Sequence, residues 1–456
     1  MSLPPPLVLA DADDPVLRDL RRRLGDRVDV ILADPAGHAA LVHRVAAALG
    51  AGRPLRIHRS PGAPPDRRAL LERLVDEARA LHGGTVGTLL ARGDEWLGNI
   101  VAAAPRLVEL PSVASLGGGL AGRPALVVGA GPSLASLAPV LPLLASRCTV
   151  VAAASALSPL ARLGIAPDVA VLIEGRDRRE QLRAAPDPGR TLLVVAHHGH
   201  PAHLDPRFRA LVRLDAAENG WFVRLAPPPA APVPTGGNVG TTALRLALAW
   251  GANPVILAGL DFAWPAGGAS HADGAGSPPA GPEHGAFHEV LGTGGGPVRT
   301  TALLASYRAN TEATLREFPG REVINPVRPG AARIAGTREE DPARLAANLP
   351  AASPGPPPTP PAPERPPRDR LRAALAELGD DLALVAEEAR RLLEGGAGPE
   401  ELRARLGALL AAHPASFPAA VLRGPLLAPA ADPRETIPAR LARGLDWLRR
   451  LAGRLL

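Results

Sequence analysis

Two glycine-rich turns carry the residues best suited to chemistry in this chain. Gly129-Ala-Gly-Pro-Ser-Leu134 follows the apolar run Ala125-Leu-Val-Val128, and Thr235-Gly-Gly-Asn-Val-Gly-Thr-Thr242 precedes the helical pattern Ala243-Leu-Arg-Leu-Ala-Leu248. A turn that opens a helix offers unpaired N–H donors and partial positive charge, which is what a phosphate needs. Backbone groups around Gly129, Gly131, Gly236 and Gly237, with the hydroxyls of Ser133, Thr235 and Thr241, are therefore expected to face a nucleotide at the carboxyl edge of a parallel sheet. Glycines also serve ordinary tight βα turns, and one such pattern alone specifies little. Asp261 follows the strand pattern Pro254-Val-Ile-Leu-Ala258 at the same edge, where a buried carboxylate requires a partner or a ligand. Its ordinary alternative role is to cap a turn or helix. His197, His198, His200 and His203 form a histidine cluster. No cysteine accompanies them, and their spacing at a strand end does not aim three rings at one point, so no metal site is assigned.

Composition removes several mechanisms. Of 456 residues, 51 are basic, and since the chain contains no lysine every one of them is arginine. A P-loop needs its lysine on the terminal phosphates and a pyridoxal enzyme needs a Schiff-base lysine, so neither applies. The net charge is only +6. The sequence pI near 10.8 reflects the scarcity of groups that titrate between about pH 8.5 and 12, and nucleic acid is not expected as a partner. A hydrophobic content of 46% fits a globular chain of two or three domains. The single cysteine, Cys148, excludes an internal disulfide and a cysteine-rich zinc site and points to the cytoplasm. The start, Met1-Ser-Leu-Pro-Pro-Pro6, lacks the basic region of an export signal. The uncharged stretch 124–146 contains the first turn plus Pro139 and Pro142, so it reads as strand, turn and short helix rather than a membrane span.

Four segments are expected. Residues 1–100 read as a small α/β domain, with apolar runs at 7–9 and 28–32 and a helical pattern at 68–78. Residues 101–345 read as a Rossmann-like, doubly wound and mainly parallel α/β domain, with strands at 125–128, 149–152, 168–173, 191–196, 254–258 and 322–324. Within it, 262–297 is rich in glycine and proline and reads as a lid. Residues 346–368 form a stiff proline-rich linker. Residues 369–456 are helical, with Leu371, Leu375, Leu378 and Leu382 along one face, Pro399 opening a second helix, and a basic amphipathic stretch at 437–456.

Read in order, Gly129-Ala-Gly-Pro-Ser-Leu134, Gly164-Ile-Ala-Pro-Asp168, Gly236-Gly-Asn-Val-Gly-Thr-Thr242 and Gly259-Leu-Asp261 resemble the motility-accessory-factor (Maf) flagellin glycosyltransferases. Their central domain is similar to bacterial sialyltransferases and to archaeal 6-hydroxymethyl-dihydropterin pyrophosphokinase. Gly118-Gly-Leu-Ala-Gly-Arg-Pro124, Val323-Ile-Asn325 and Ala332-Arg-Ile-Ala-Gly-Thr337 extend the resemblance over roughly 96–337. It implies transfer of a nonulosonate sugar, of the pseudaminic or legionaminic acid type, from a CMP donor to a serine or threonine of flagellin or a similar protein. The CMP-linked sugar is then a substrate, and no tightly bound cofactor is expected. The acceptor hydroxyl needs a base, and histidine suits neutral pH. His271, placed just past Gly-Leu-Asp261 where the resemblance puts a histidine, takes that role ahead of His284 and His288. Tyr307 is read as a core residue.

The sequence departs from the family pattern in two places. Glu174 stands where an aspartate is common, and is assigned to a ribose hydroxyl or a metal ion. After Asn325 the chain reads Pro326-Val-Arg-Pro-Gly330 in place of a threonine- and glutamate-containing glycine turn. Two other functions stay open at this point. One is an ATP-dependent pyrophosphokinase acting on a pterin, which would use magnesium held by acids such as Asp168, Glu174 and Asp261. The other is a non-catalytic nucleotide-binding protein.

Overall fold

The computed structural model describes residues 7–11, 13–25, 28–33, 41, 45, 55–265, 272, 287–350, 355–411, 416–427 and 432–456. The chain divides into two compact units, one of residues 1–94 with 375–450 and the other of residues 95–374 with 451–456.

In the first unit, β1 (Leu7–Ala10), β2 (Asp29–Leu32) and β3 (Leu55–His58) form a parallel sheet in the order β2-β1-β3. Asp14 accepts the Leu17 N–H at 2.8 Å and so caps the helix Pro15–Leu24. That carboxylate also meets His58 Nε2 at 2.7 Å, and this hydrogen bond holds its pKa down at about 2. From the C-terminal segment the unit includes most of the helix Arg368–Glu394 and the helices Pro399–Ala411 and Phe417–Leu427. Leu375, Leu378 and Leu382 are buried on the first of these, as their spacing requires.

The second unit is built on eight strands, all parallel, in the order β13-β12-β9-β4-β5-β6-β7-β8. They are β4 (Ala125–Val128), β5 (Thr149–Ala153), β6 (Val169–Leu172), β7 (Leu192–Ala196), β8 (Ala210–Leu214), β9 (Val255–Ala258), β12 (Val323–Pro326) and β13 (Arg338–Glu340). Alternation divides each strand between two cores. Ala125 and Val127 face one, with Val151 and the helix Val239–Ala249, while Leu126 and Val128 face the other, with Val150 and Leu144. The α/β reading holds, and the stretch 124–146 is strand, turn and short helices. Among the described residues no helix is long and apolar enough to cross a membrane.

The chain steps from β4 outward to β8, then returns to lay β9 on the other side of β4. That reversal is a topological switch point, the place where open α/β sheets bind ligands.

Three elements differ from expectation. Part of the supposed lid is a hairpin, β10 (Phe287–Leu291) against β11 (Pro297–Thr301), closed by a glycine turn. Strand β8 has Arg213 as its fourth residue, and the guanidinium is buried because Asp215 Oδ1 lies 2.6 Å from its Nε and the carbonyls of Leu107 and Leu110 accept from Nη1. The proline-rich stretch does not stand off as a spacer. Arg123 donates to Pro356 O at 2.7 Å, Arg209 to Pro358 O at 3.0 Å and Glu364 N–H to Glu109 O at 2.9 Å.

Candidate functional site

The first turn and the end of β9 meet at the switch point. Gly129 N–H donates to Ala258 O and Gly131 N–H to Gly259 O, each at 2.8 Å. Asp261 accepts the Ser133 N–H at 2.8 Å on Oδ2 and the Ser133 hydroxyl on Oδ1. A Cβ at Gly129 would stand 2.5 Å from Gly259 O, and one at Gly131 would collide with the Asp261 carboxylate. The space beside Gly131, expected to admit a phosphate, is therefore taken by Asp261. These glycines let one turn close on the other.

Arg328 completes the network and was not singled out in the sequence. Its guanidinium is fully buried. It donates through Nε to Ser133 Oγ at 2.8 Å, through Nη1 to Asn325 Oδ1 at 2.6 Å and Pro326 O at 2.9 Å, and through Nη2 to Leu260 O at 3.2 Å. Asp261 Oδ1 lies 3.5 Å from Nε. Burial lowers the arginine's pKa, and the adjacent carboxylate opposes that shift. Ser133 and Asp261 thus spend their polar atoms on each other and on Arg328. They hold the turn in place, and the N–H groups of Gly129, Gly131, Ser133 and Leu134 are likewise bonded within the protein.

The second turn opens an eleven-residue helix, whereas the first leads only into the single helical turn Leu134–Leu137. The dipole argument therefore applies to the second. Asn238 Oδ1 accepts the Thr241 N–H at 2.8 Å, a cap worth about 1 kcal/mol. Gly236 and Gly237 adopt φ of 66° and 77°, which only glycine takes without strain. The Thr241 hydroxyl is closed to ligand: the residue is fully buried, and its Oγ1 meets Asn238 Nδ2 and Thr311 Oγ1, both at 2.7 Å. Thr235 Oγ1 donates to Glu218 Oε1 at 2.6 Å. Tyr307 is half-buried beside Gly237, and burial raises its pKa.

Glu174 follows β6 half-buried, and its Oε1 accepts the Arg176 N–H at 3.0 Å. Asp168 lies at the other end of that strand, where Oδ2 accepts the Val150 N–H at 2.8 Å and burial raises its pKa. The structure therefore does not assemble Asp168 with Glu174 and Asp261, as the magnesium set of the kinase reading required. His271 and His284 lie outside the described residues, and His288 is exposed on β10. Ala272, the residue after His271, donates its N–H to Ala130 O at 2.7 Å, on the first turn.

The histidine cluster is tied into backbone. His197 Nδ1 accepts the Ala216 N–H at 3.1 Å, His203 Nε2 the Arg178 N–H at 2.9 Å and His200 Nδ1 the Ala202 N–H at 3.2 Å. Burial pushes His197 well below the usual 6.5, lowers His198, and takes His203 to about 4. Because the folded values lie below the unfolded one, the unfolded chain binds more protons at acid pH. Their contribution to stability is complete above about pH 6.5 and declines as pH falls toward 4. The melting temperature is expected to drop between pH 7.5 and 5, and an unchanged melt would mean that these rings accept protons without opening the fold.

Residues 98–267 match the family model described as 6-hydroxymethylpterin diphosphokinase MptE-like. No curated protein matches the chain. Among solved structures the chain is similar to a Maf glycosyltransferase from Magnetospirillum magneticum AMB-1, with a TM-score of 0.60 and 18% identity, over 97% of this chain and 70% of that one. The segment 98–267 thus matches an MptE-like domain, in a chain whose fold is similar to that of a Maf glycosyltransferase.

Proposed function

We propose that this chain is a glycosyltransferase that moves a nonulosonate sugar from a CMP donor to a serine or threonine of flagellin or a similar protein, in the cytoplasm. The observation that carries the reading is the meeting of the Gly129–Ser133 turn with the end of β9 at the switch point, with Ala272 held on Ala130 O, in a fold similar to that of a Maf glycosyltransferase. In the reaction the acceptor oxygen bonds to the anomeric carbon, and the bond from that carbon to the phosphate oxygen breaks. CMP leaves with the electron pair, and the hydroxyl proton passes to the base, His271. The leaving phosphate gains charge, so fixed backbone donors at Gly236, Gly237 and the following helix start stabilise it as the bond breaks. Glu174 accepts from the ribose.

The name of the matched family favours one rival, a pyrophosphokinase that acts on a pterin with ATP and magnesium. Calorimetry on the full chain separates the two. The transferase reading expects CMP and CDP to bind more tightly than AMP, with purified flagellin gaining sugar mass in the presence of a CMP-sugar. Tighter binding of ATP with magnesium supports the kinase. Nucleotide binding without any transfer leaves a binding protein.

A further inference from the structure

Among the buried polar atoms just beyond the carboxyl ends of β7 and β8 that have no hydrogen-bond partner are, beside His197 Nε2, His198 Nδ1 and Asn219 Nδ2. His198 and Asn219 are each 4% exposed. His198 Nε2 donates to Ile173 O at 3.2 Å, which fixes Nδ1 as an acceptor. Asn219 breaks the 3-10 helix Ala217–Arg224 with φ −133° and ψ 42°. Its neighbour Glu218 is bonded to Thr235, the first residue of the second turn, so this corner adjoins the proposed phosphate site. The carboxylates of Glu218 and Glu174 both act on the charge of His198, and the Trp96 ring lies 4.6 Å from the imidazole. Unmatched buried groups are uncommon in native proteins and ask for an explanation. A neutral acceptor, an amide donor and two carboxylates suit hydroxyl and amide groups and repel an anion.

We propose that this corner is the subsite for the uncharged, hydroxyl- and amide-bearing part of the donor's sugar. The inference rests on the CMP-sugar reading above. The test uses the full chain with Asn219→Leu and His198→Phe, and calorimetry against CMP and CMP-N-acetylneuraminic acid. Each variant is expected to keep its CMP affinity within twofold and to lose at least tenfold in affinity for the CMP-sugar. Without ligand, Asn219→Leu is expected to melt at the wild-type temperature or above it, since it removes a buried amide nitrogen with no partner. Unchanged affinity for both ligands, or a fall of several degrees in the melting temperature of Asn219→Leu, overturns the subsite and makes the corner structural. If the wild type binds neither ligand, the CMP-sugar reading fails and the subsite with it.

Discussion

Arg328→Met is expected to lower the unfolding free energy by about 3–5 kcal/mol, the usual cost of removing one partner from a buried ion pair. Arg328 is fully buried, and its guanidinium serves Ser133, Asn325, Pro326, Leu260 and Asp261 together. Methionine fills similar volume but donates nothing. Asp261 is then left charged in an apolar setting with only the Ser133 donors, and the first turn loses what fixes its position. Nucleotide affinity should fall with stability, because that turn borders the proposed site. The denaturation midpoint of the variant measures the first effect and calorimetry with CMP the second. Adding Asp261→Asn should recover part of the loss, since it removes the orphaned charge, and a double-mutant cycle reads that coupling. A loss under about 1 kcal/mol in the single variant would mean that water replaces the guanidinium and that the network does not hold the turn.

The same network shows what a sequence can and cannot disclose. The two turns, the strands flanking them and Asp261 were legible because a buried parallel strand is a short apolar run ending at a glycine turn, and that signal is local. Arg328 was not. In Pro326-Val-Arg-Pro-Gly330 it reads as an ordinary loop cation, and it is buried only because β12 lies beside β9, across 68 residues from its contact Leu260. Strand β8 was missed for a related reason: Arg213 interrupts its apolar run, and only Asp215 and the carbonyls of 107 and 110 make that charge tolerable inside. The hairpin β10–β11 did carry a signal. Five residues on either side of Gly292-Thr-Gly-Gly-Gly296 pair in register, but the surrounding glycines and prolines made the whole segment read as loop. For the site, residue type was legible and exposure was not. Ser133 and Thr241 are good phosphate ligands by type, yet their hydroxyls are consumed by Asp261, Arg328, Asn238 and Thr311. What remains to offer a ligand is the helix start of the second turn, since the first turn's N–H groups at Gly129, Gly131 and Ser133 are bonded within the protein.

His271→Ala is expected to lower the transfer rate by about 10² or more while CMP binds as in the wild type, the signature of a lost general base. The acceptor of the proposed reaction is an aliphatic hydroxyl, too weak a nucleophile at neutral pH unless its proton is taken as the new bond forms. Asp261 is a poor candidate for that task, because both of its oxygens already accept from Ser133 and Arg328 lies beside them. The rings of His197, His198 and His203 are poor candidates too, since their burial and backbone bonds keep them from an incoming protein chain. His271 directly precedes Ala272 in the sequence, and the Ala272 N–H is bonded to Ala130 O of the first turn. The measurement is sugar added to purified flagellin, read by mass, for wild type and variant at saturating donor between pH 6 and 8.5. A base with a pKa near 6.5 gives the wild type an acid limb that the variant lacks. Wild-type rates in His271→Ala together with a dead Glu174→Ala would move the base to the end of β6, where the carboxylate is half-buried and faces the same edge.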